Sequence, residues 1–195
     1  MSPQLKQEAV GAHIRQLRFD RGLSVRELAA QTDFSPSFIS QVENGLASPS
    51  ISSMQKIADV LGVTLGEFFA AAAGGEGGYV VRAADRQTLS SGWSEAKLEV
   101  LSSRPSARLE PILITLRPGG RSAKHPFPHP MEEFAFVLDG EVTLTLGPET
   151  HVLKRGDAVT ILPRESRRWE NTGTKSASIL LVAARPALRT PRSPR

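Results

Sequence analysis

Two histidines and a glutamate recur at intervals of four in HPFPHPMEEFAFVLDG, which runs from His125 to Gly140. Imidazole nitrogens and carboxylate oxygens are the donors that hold zinc and non-haem iron. Catalytic iron asks for two histidines and a carboxylate on one face, with positions left open for substrate. Catalytic zinc usually takes three protein ligands and a water. A metal in this segment would therefore fall to His125, His129 and Glu133. Pro126 and Pro128 stiffen the backbone between the histidines and restrict how far His125 can swing. The chain has no cysteine, which excludes disulfides, thiolate metal sites and cysteine nucleophiles. His13 reads as a helix-face residue and His151 as an exposed residue at the head of a strand.

Strands must carry Glu133 and its neighbours. From Tyr79 onward the hydrophobic period is two, and LEPILITLRP, EEFAFVLDG, EVTLTLGP, HVLKRGD, AVTILP and SASILLVAA read as strands. Turn signals such as Asp139-Gly140, Gly147-Pro148 and Gly156-Asp157 separate them. Many short strands with regular turns predict an antiparallel sandwich or barrel. The first seventy residues have the other period. Val10, Ile14 and Leu17 mark a helix that Gly22 ends, and Ser24 with Glu27 forms a capping box for a second. Ser35 caps a third, with Pro36 at its first helical position; Phe38, Ile39 and Val42 form its inward stripe, and Asn44-Gly45 stops it. A fourth helix from about Ser50 carries Ile51, Met54, Ile57, Ala58 and Leu61. Thr64 with Glu67 opens a short fifth that buries Leu65, Phe68 and Phe69. AAAAGGEGG reads as a linker. The expected organisation is a helical domain over 1–70, a linker over 71–78, a strand domain over 79–186 and a disordered Pro/Arg-rich tail over 187–195.

The 195 residues suit two small domains, and the formal net charge is +4. That charge lies in the wrong half for a simple nucleic-acid argument: up to Ala70 there are six basic residues against seven acidic ones. DNA binding has to be argued from pattern. No apolar run is long enough to span a membrane, and the N-terminus lacks the apolar stretch of a secretory signal, so a cytoplasmic location without membrane association is expected.

The pattern is specific over IRQLRFDRGLSVRELAAQTDFSPSFISQVENGLASPSISSMQKIADVLGVTLGEFF. It resembles the lambda-repressor-like, or XRE-type, helix-turn-helix domain, an all-α five-helix bundle. Arg18 and Glu43 stand where that family commonly pairs an arginine with a glutamate, and residues 35–43 occupy the recognition helix. The resemblance implies that this helix enters the major groove of double-stranded DNA. The expected contacts are Ser24, Ser35, Pro36, Ser37, Ser40, Gln41 and Asn44, with Gln41 able to bond adenine through both groups of its amide. Val25 stands where the family often has a glutamine. A domain this poor in cations is expected to bind in pairs, as a homodimer on a palindromic operator.

The strand half resembles the cupin superfamily, an all-β jelly-roll, or double-stranded β-helix, barrel. In the first cupin motif a His-x-His pair precedes a glutamate, and a glycine follows after six intervening residues. His129, Glu133 and Gly140 match, but Phe127 holds the first histidine's place. The second motif runs from Gly156-Asp157 through Pro163 to Asn171, and Arg167 stands where its histidine belongs. A guanidinium has no lone pair to give and its charge repels a divalent cation. No metal, cofactor or catalytic residue is therefore expected. Instead His125, His129, Glu133, Arg167 and Trp169 are expected to line an effector site, in which Arg167 receives a carboxylate, phosphate or sulfonate. An ion pair between Glu133 and Arg167 is the plainer alternative. Together the two resemblances imply a transcriptional regulator with an XRE-type domain and an effector-sensing cupin. The runner-up is a metal-dependent enzyme of the hydroxypropylphosphonate-epoxidase type, which has the same two domains and to which the arginine is opposed.

Overall fold

The structure is a computed structural model that describes residues 7–65, 68, 79–91, 94–102 and 108–184. Four helices lead: α1 (Gln7–Asp20), α2 (Val25–Thr32), α3 (Pro36–Glu43) and α4 (Ile51–Val60). Local chemistry sets their starts. The Ser24 hydroxyl accepts from the Glu27 amide at 3.2 Å, and the Glu27 carboxylate accepts from the Ser24 amide at 2.7 Å, which completes the capping box. Ser35 caps α3 through the Phe38 amide, and Ser50 caps α4 through the Ser53 amide. Ile14, Leu28, Ile39, Met54, Ile57 and Leu61 are fully enclosed between the helices.

Two features fix α3 against α1. A Cβ on Gly11 would stand 2.4 Å from the Val42 carbonyl oxygen, so only glycine allows this approach. Beside it Arg18 donates to both carboxylate oxygens of Glu43, at 2.6 and 2.9 Å, and to the Leu23 carbonyl at 2.8 Å. Both side chains are buried, so the family's arginine–glutamate pair is made here. Removing either partner would leave a buried charge alone, at a cost of about 3–5 kcal/mol.

The helical half differs from expectation in two ways. Leu65 and Phe68 are helical and buried, but the rest of the expected fifth helix, including Glu67 and Phe69, lies outside the described residues. Four helices, not five, make up the described bundle. Phe38 packs against the core beside Ile39 and Val42 but is only half-buried, with its ring edge-on to Phe34 at 5.0 Å. The expected linker over 71–78 and tail over 187–195 fall outside the described residues.

The strand half forms two sheets. The six-stranded one runs β1 (Thr88–Ser91), β2 (Ala96–Val100), β3 (Leu109–Leu116), β10 (Ala177–Ala184), β5 (Glu132–Asp139), β8 (Ala158–Ile161). The four-stranded one runs β4 (Phe127–Pro128), β9 (Ser166–Glu170), β6 (Glu141–Leu146), β7 (Glu149–Lys154). All neighbours are antiparallel. The expected closed barrel is thus corrected to two separate sheets among the described residues. Their inner faces bury Leu98, Ile114, Leu144, Trp169 and Ile179 in one apolar core. Gly140 makes the β5–β6 turn at φ +77°, and a Cβ there would stand 2.8 Å from that of Ala177.

Candidate functional site

The recognition helix presents the expected residues unevenly. Pro36, Ser37, Gln41 and Asn44 are exposed, and Ser40 is half-buried. The hydroxyls of Ser24 and Ser35 are spent on helix caps. Asn44 turns its amide back onto the Ser40 carbonyl at 2.8 Å. Ser37 and Gln41 are the exposed polar residues of α3 whose side chains make no hydrogen bond among the described residues.

The cupin-like interior is assembled by strands from both sheets. Glu133 on β5 faces inward because β5 alternates, with Ala135 and Val137 on the same face. Arg167 on β9, opposite Phe127 of β4, enters from the other sheet. Its Nε and Nη2 donate to the two carboxylate oxygens of Glu133. Phe127 lies against the guanidinium with its ring centre 4.8 Å away. Both charges are almost fully buried, so the pair ties the sheets together across the core. Trp169, two residues along β9, shares that face; its indole nitrogen is buried without a hydrogen-bond partner. Asn171 makes no contact with this group. Its amide donates to the Leu116 and Lys175 carbonyls and its oxygen accepts from the Gly173 amide, which shapes the turn before β10.

The interior is closed by the helical domain. The side chain of Gln55, on α4, reaches His129 with its amide nitrogen 2.8 Å from Nε2. With the amide donating, the imidazole proton sits on Nδ1. Nδ1 is 3.2 Å from Glu133 Oε1, close but off the hydrogen-bond direction. Burial drives the His129 pKa down to about 4, the nearby Arg167 charge helps, and Glu133 opposes, so the ring is neutral at neutral pH. Asp59, one turn beyond Gln55, lies 3.9 Å from His129 Nε2. Its pKa is pushed up to about 6, mainly by burial, while the Gln55 hydrogen bond and Arg167 pull it down. Ile51 and Gln55 line the cavity beside Phe127, Arg167 and Trp169, and they leave about 10 Å³ free. That is room for no more than one water. Sequence reasoning missed α4 here. Its signal was the row Ile51, Gln55, Asp59, an i, i+4, i+8 stripe beside the core-facing positions.

The donors do not fit a metal. Both oxygens of Glu133 are held by Arg167, and His129 Nε2 is held by Gln55. His125 is exposed and faces a separate outer cleft between the domains. Among the described residues no group of three or more His, Asp or Glu side chains is placed to hold an ion.

Known proteins agree with both halves. Residues 14–68 match the helix-turn-helix family and residues 112–183 the cupin domain family. The chain is 30% identical over 173 residues to the HTH-type transcriptional regulator PuuR of Escherichia coli (strain K12), covering 88% of this chain and 92% of that one. It is 25% identical to the HTH-type transcriptional regulator SutR of the same organism, covering 84% and 87%. A crystal structure of an HTH_3 family transcriptional regulator from Vibrio cholerae superposes with a TM-score of 0.73 at 24% identity, covering 93% and 97% of the two chains. The two domain matches and the likeness to PuuR over nearly the full length settle the family: the chain belongs to the HTH-type transcriptional regulators that join an XRE-type helix-turn-helix to a cupin domain.

Proposed function

We propose that this DNA-binding regulator works as a homodimer on a palindromic operator and that its cupin interior is the effector site, gated by α4. The observation that carries the reading is the Gln55–His129 hydrogen bond, because it puts a side chain of the DNA-reading bundle inside the cavity of the sensing domain. A ligand that fills this cavity must displace Ile51 and Gln55, and so releases the bundle from its docked position. Such a ligand has different affinity for the docked and released states, which is the requirement for control. Arg167 and Trp169 are the cavity residues it would meet, with Glu133 and His129 held beside them as the partners of Arg167 and Gln55, while His125 would meet a ligand only at the outer cleft. A cytoplasmic setting suits this role, and no helix of the described residues is long and apolar enough to cross a membrane.

The dimer is supported by the outer face of the six-stranded sheet. Registers align Pro111, Val182 and Phe134 in one row and Leu113, Leu180 and Phe136 in the next. Phe134 and Leu138 stay exposed on that face. A second copy covering this apolar surface would bring two recognition helices to one operator. The pairing of Glu133 with Arg167 opposes the enzyme reading, since it takes the carboxylate that iron would need.

The test is selection of bound duplexes from a random pool, followed by fluorescence anisotropy on the winning sequence. A two-fold symmetric site is expected, and Gln41→Ala should cost about 1–3 kcal/mol at one base position of each half-site. Absence of any sequence preference would sink the reading.

A further inference from the structure

A second cavity lies outside the cupin interior, between the two domains. It encloses about 770 Å³, a volume typical of small-molecule sites. Phe127 is a wall common to both cavities, but Arg167 and Trp169 line only the inner one. Its charged lining is of one sign. The helical domain contributes Lys56, and the cupin domain contributes Arg121 and Lys124, with His125 beside them. Among the described residues no carboxylate lines it. Arg121 touches Glu170 at 3.6 Å, a loose contact with a side chain outside the cleft. Lys56 lies over the Phe34 ring at 5.5 Å and pairs with no carboxylate among the described residues. Ser48, Ser50, Ser52 and Ser53 add hydroxyls, of which Ser48 Oγ is buried and has no hydrogen-bond partner. Phe34, Phe38 and Phe127 supply aromatic walls.

We infer that this interdomain cleft binds a small organic anion, a carboxylate or phosphate carried on an aromatic or otherwise apolar body. The cations and the free hydroxyl take the anionic head, and the phenylalanines take the body. Because Lys56 belongs to one domain and Arg121 and Lys124 to the other, the bound anion bridges them and favours the docked arrangement. The site is distinct from the effector cavity proposed above and has the opposite effect: a ligand in the interior releases α4, whereas the anion in the cleft retains it.

The experiment is calorimetric titration of the full chain with phenyl phosphate, with phenol and inorganic phosphate as comparisons. Phenyl phosphate should bind more tightly than either. The double substitution Lys56→Ala with Lys124→Ala, and separately Arg121→Gln, should weaken it tenfold or more, since each removes a charge-assisted contact. These side chains lie outside the two cores, and circular dichroism checks that the variants fold. Phenyl phosphate binding that is absent from the wild-type chain, or unchanged in both variants, would overturn the site. Operator affinity measured in parallel separates the two readings. Intact operator binding without phenyl phosphate binding removes the cleft site alone. Loss of operator affinity in the variants, with a shallower salt dependence and no phenyl phosphate binding to the wild type, would assign these cations to the DNA backbone instead.

Discussion

Glu133→Gln tests the central electrostatic reading of the cupin interior. The wild-type carboxylate accepts from Arg167 through both oxygens, and both residues are buried to within a few per cent. The amide keeps one acceptor but turns an NH₂ toward a guanidinium that can only donate. It also leaves a full positive charge in the core. Breaking a buried pair from one side costs about 3–5 kcal/mol. At a urea slope of about 1.5 kcal/mol/M this lowers the unfolding midpoint by roughly 2–3 M. The double substitution Glu133→Met with Arg167→Leu should recover most of that loss, because a buried pair replaced by apolar side chains of similar size is often neutral or better. Urea unfolding followed by circular dichroism reads all three proteins. The same assay carries the metal question. An ion present at a hundred times its dissociation constant would stabilise the wild type by about 2.7 kcal/mol. Added zinc or ferrous iron is expected to give no stabilisation. A loss below about 1 kcal/mol in Glu133→Gln, or metal-dependent stabilisation that vanishes in this variant, would refute the reasoning and return Glu133 to the role of ligand.

Other outcomes follow from the same geometry. Gln55→Ala leaves His129 Nε2 without its donor, at a cost of about 1–3 kcal/mol to the docked state, and should speed amide hydrogen exchange in α4 and around His129. If the proposed dimer forms through the outer sheet face, Phe134→Lys with Leu180→Lys should convert it to monomers in sedimentation experiments, with operator affinity falling in step; an unchanged dimer would place the interface elsewhere. Asp59 and His129 oppose one another with pH. Asp59 takes its proton near pH 6 when folded and near 3.8 when unfolded, so falling pH stabilises through it; His129 takes its proton near pH 4 when folded and near 6.5 when unfolded, so falling pH destabilises through it. Between pH 7 and 4.5 each contribution is about 2 kcal/mol. Relative to wild type, Asp59→Asn should therefore lose stability on acidification and His129→Gln should gain it; parallel curves would show that neither group is buried as described.

What was legible in the sequence was mostly local. Ser24 with Glu27, Ser35 with Pro36, and Asn44-Gly45 set helix ends by bonds that reach three or four residues, so spacing alone reveals them. Six strands show as alternation, and Gly140 marks its own turn. The strands that escaped are short or carry charges at unhelpful places: Ala96–Val100 has Lys97 and Glu99, and Ser166–Glu170 reads as a charged segment although Arg167 and Trp169 both point into the core. The absent histidine was visible at Arg167, and an ion pair with Glu133 was one of its two readings, but spacing could not choose between them because Glu133 lies 34 residues away on the facing sheet. The α4 contact was harder still. Gln55 and His129 are 74 residues apart in different domains, and nothing in either segment names the other.

The plug has a quantitative consequence for sensing. Ile51 is 6% exposed and Gln55 is 5% exposed, so docking removes one aliphatic side chain and one hydrogen-bonded amide from water. Apolar burial of that kind is worth about 1.5–3 kcal/mol and the hydrogen bond about 1 kcal/mol. Part of this is offset by the ordering of the two side chains. A net preference for docking of about 2–3 kcal/mol leaves the released state near or below a few per cent of molecules. A ligand that needs the cavity open then binds with its intrinsic affinity reduced by that same fraction. Under the proposed gating the protein would thereby gain a threshold set by α4: any substitution that weakens the contact of Ile51 or Gln55 with the cupin interior should raise apparent ligand affinity by the factor by which it populates the released state. Affinity for ligand and freedom of the DNA-reading bundle are therefore one equilibrium viewed from two sites, and a change in one that left the other untouched would mean that α4 is not the element joining them.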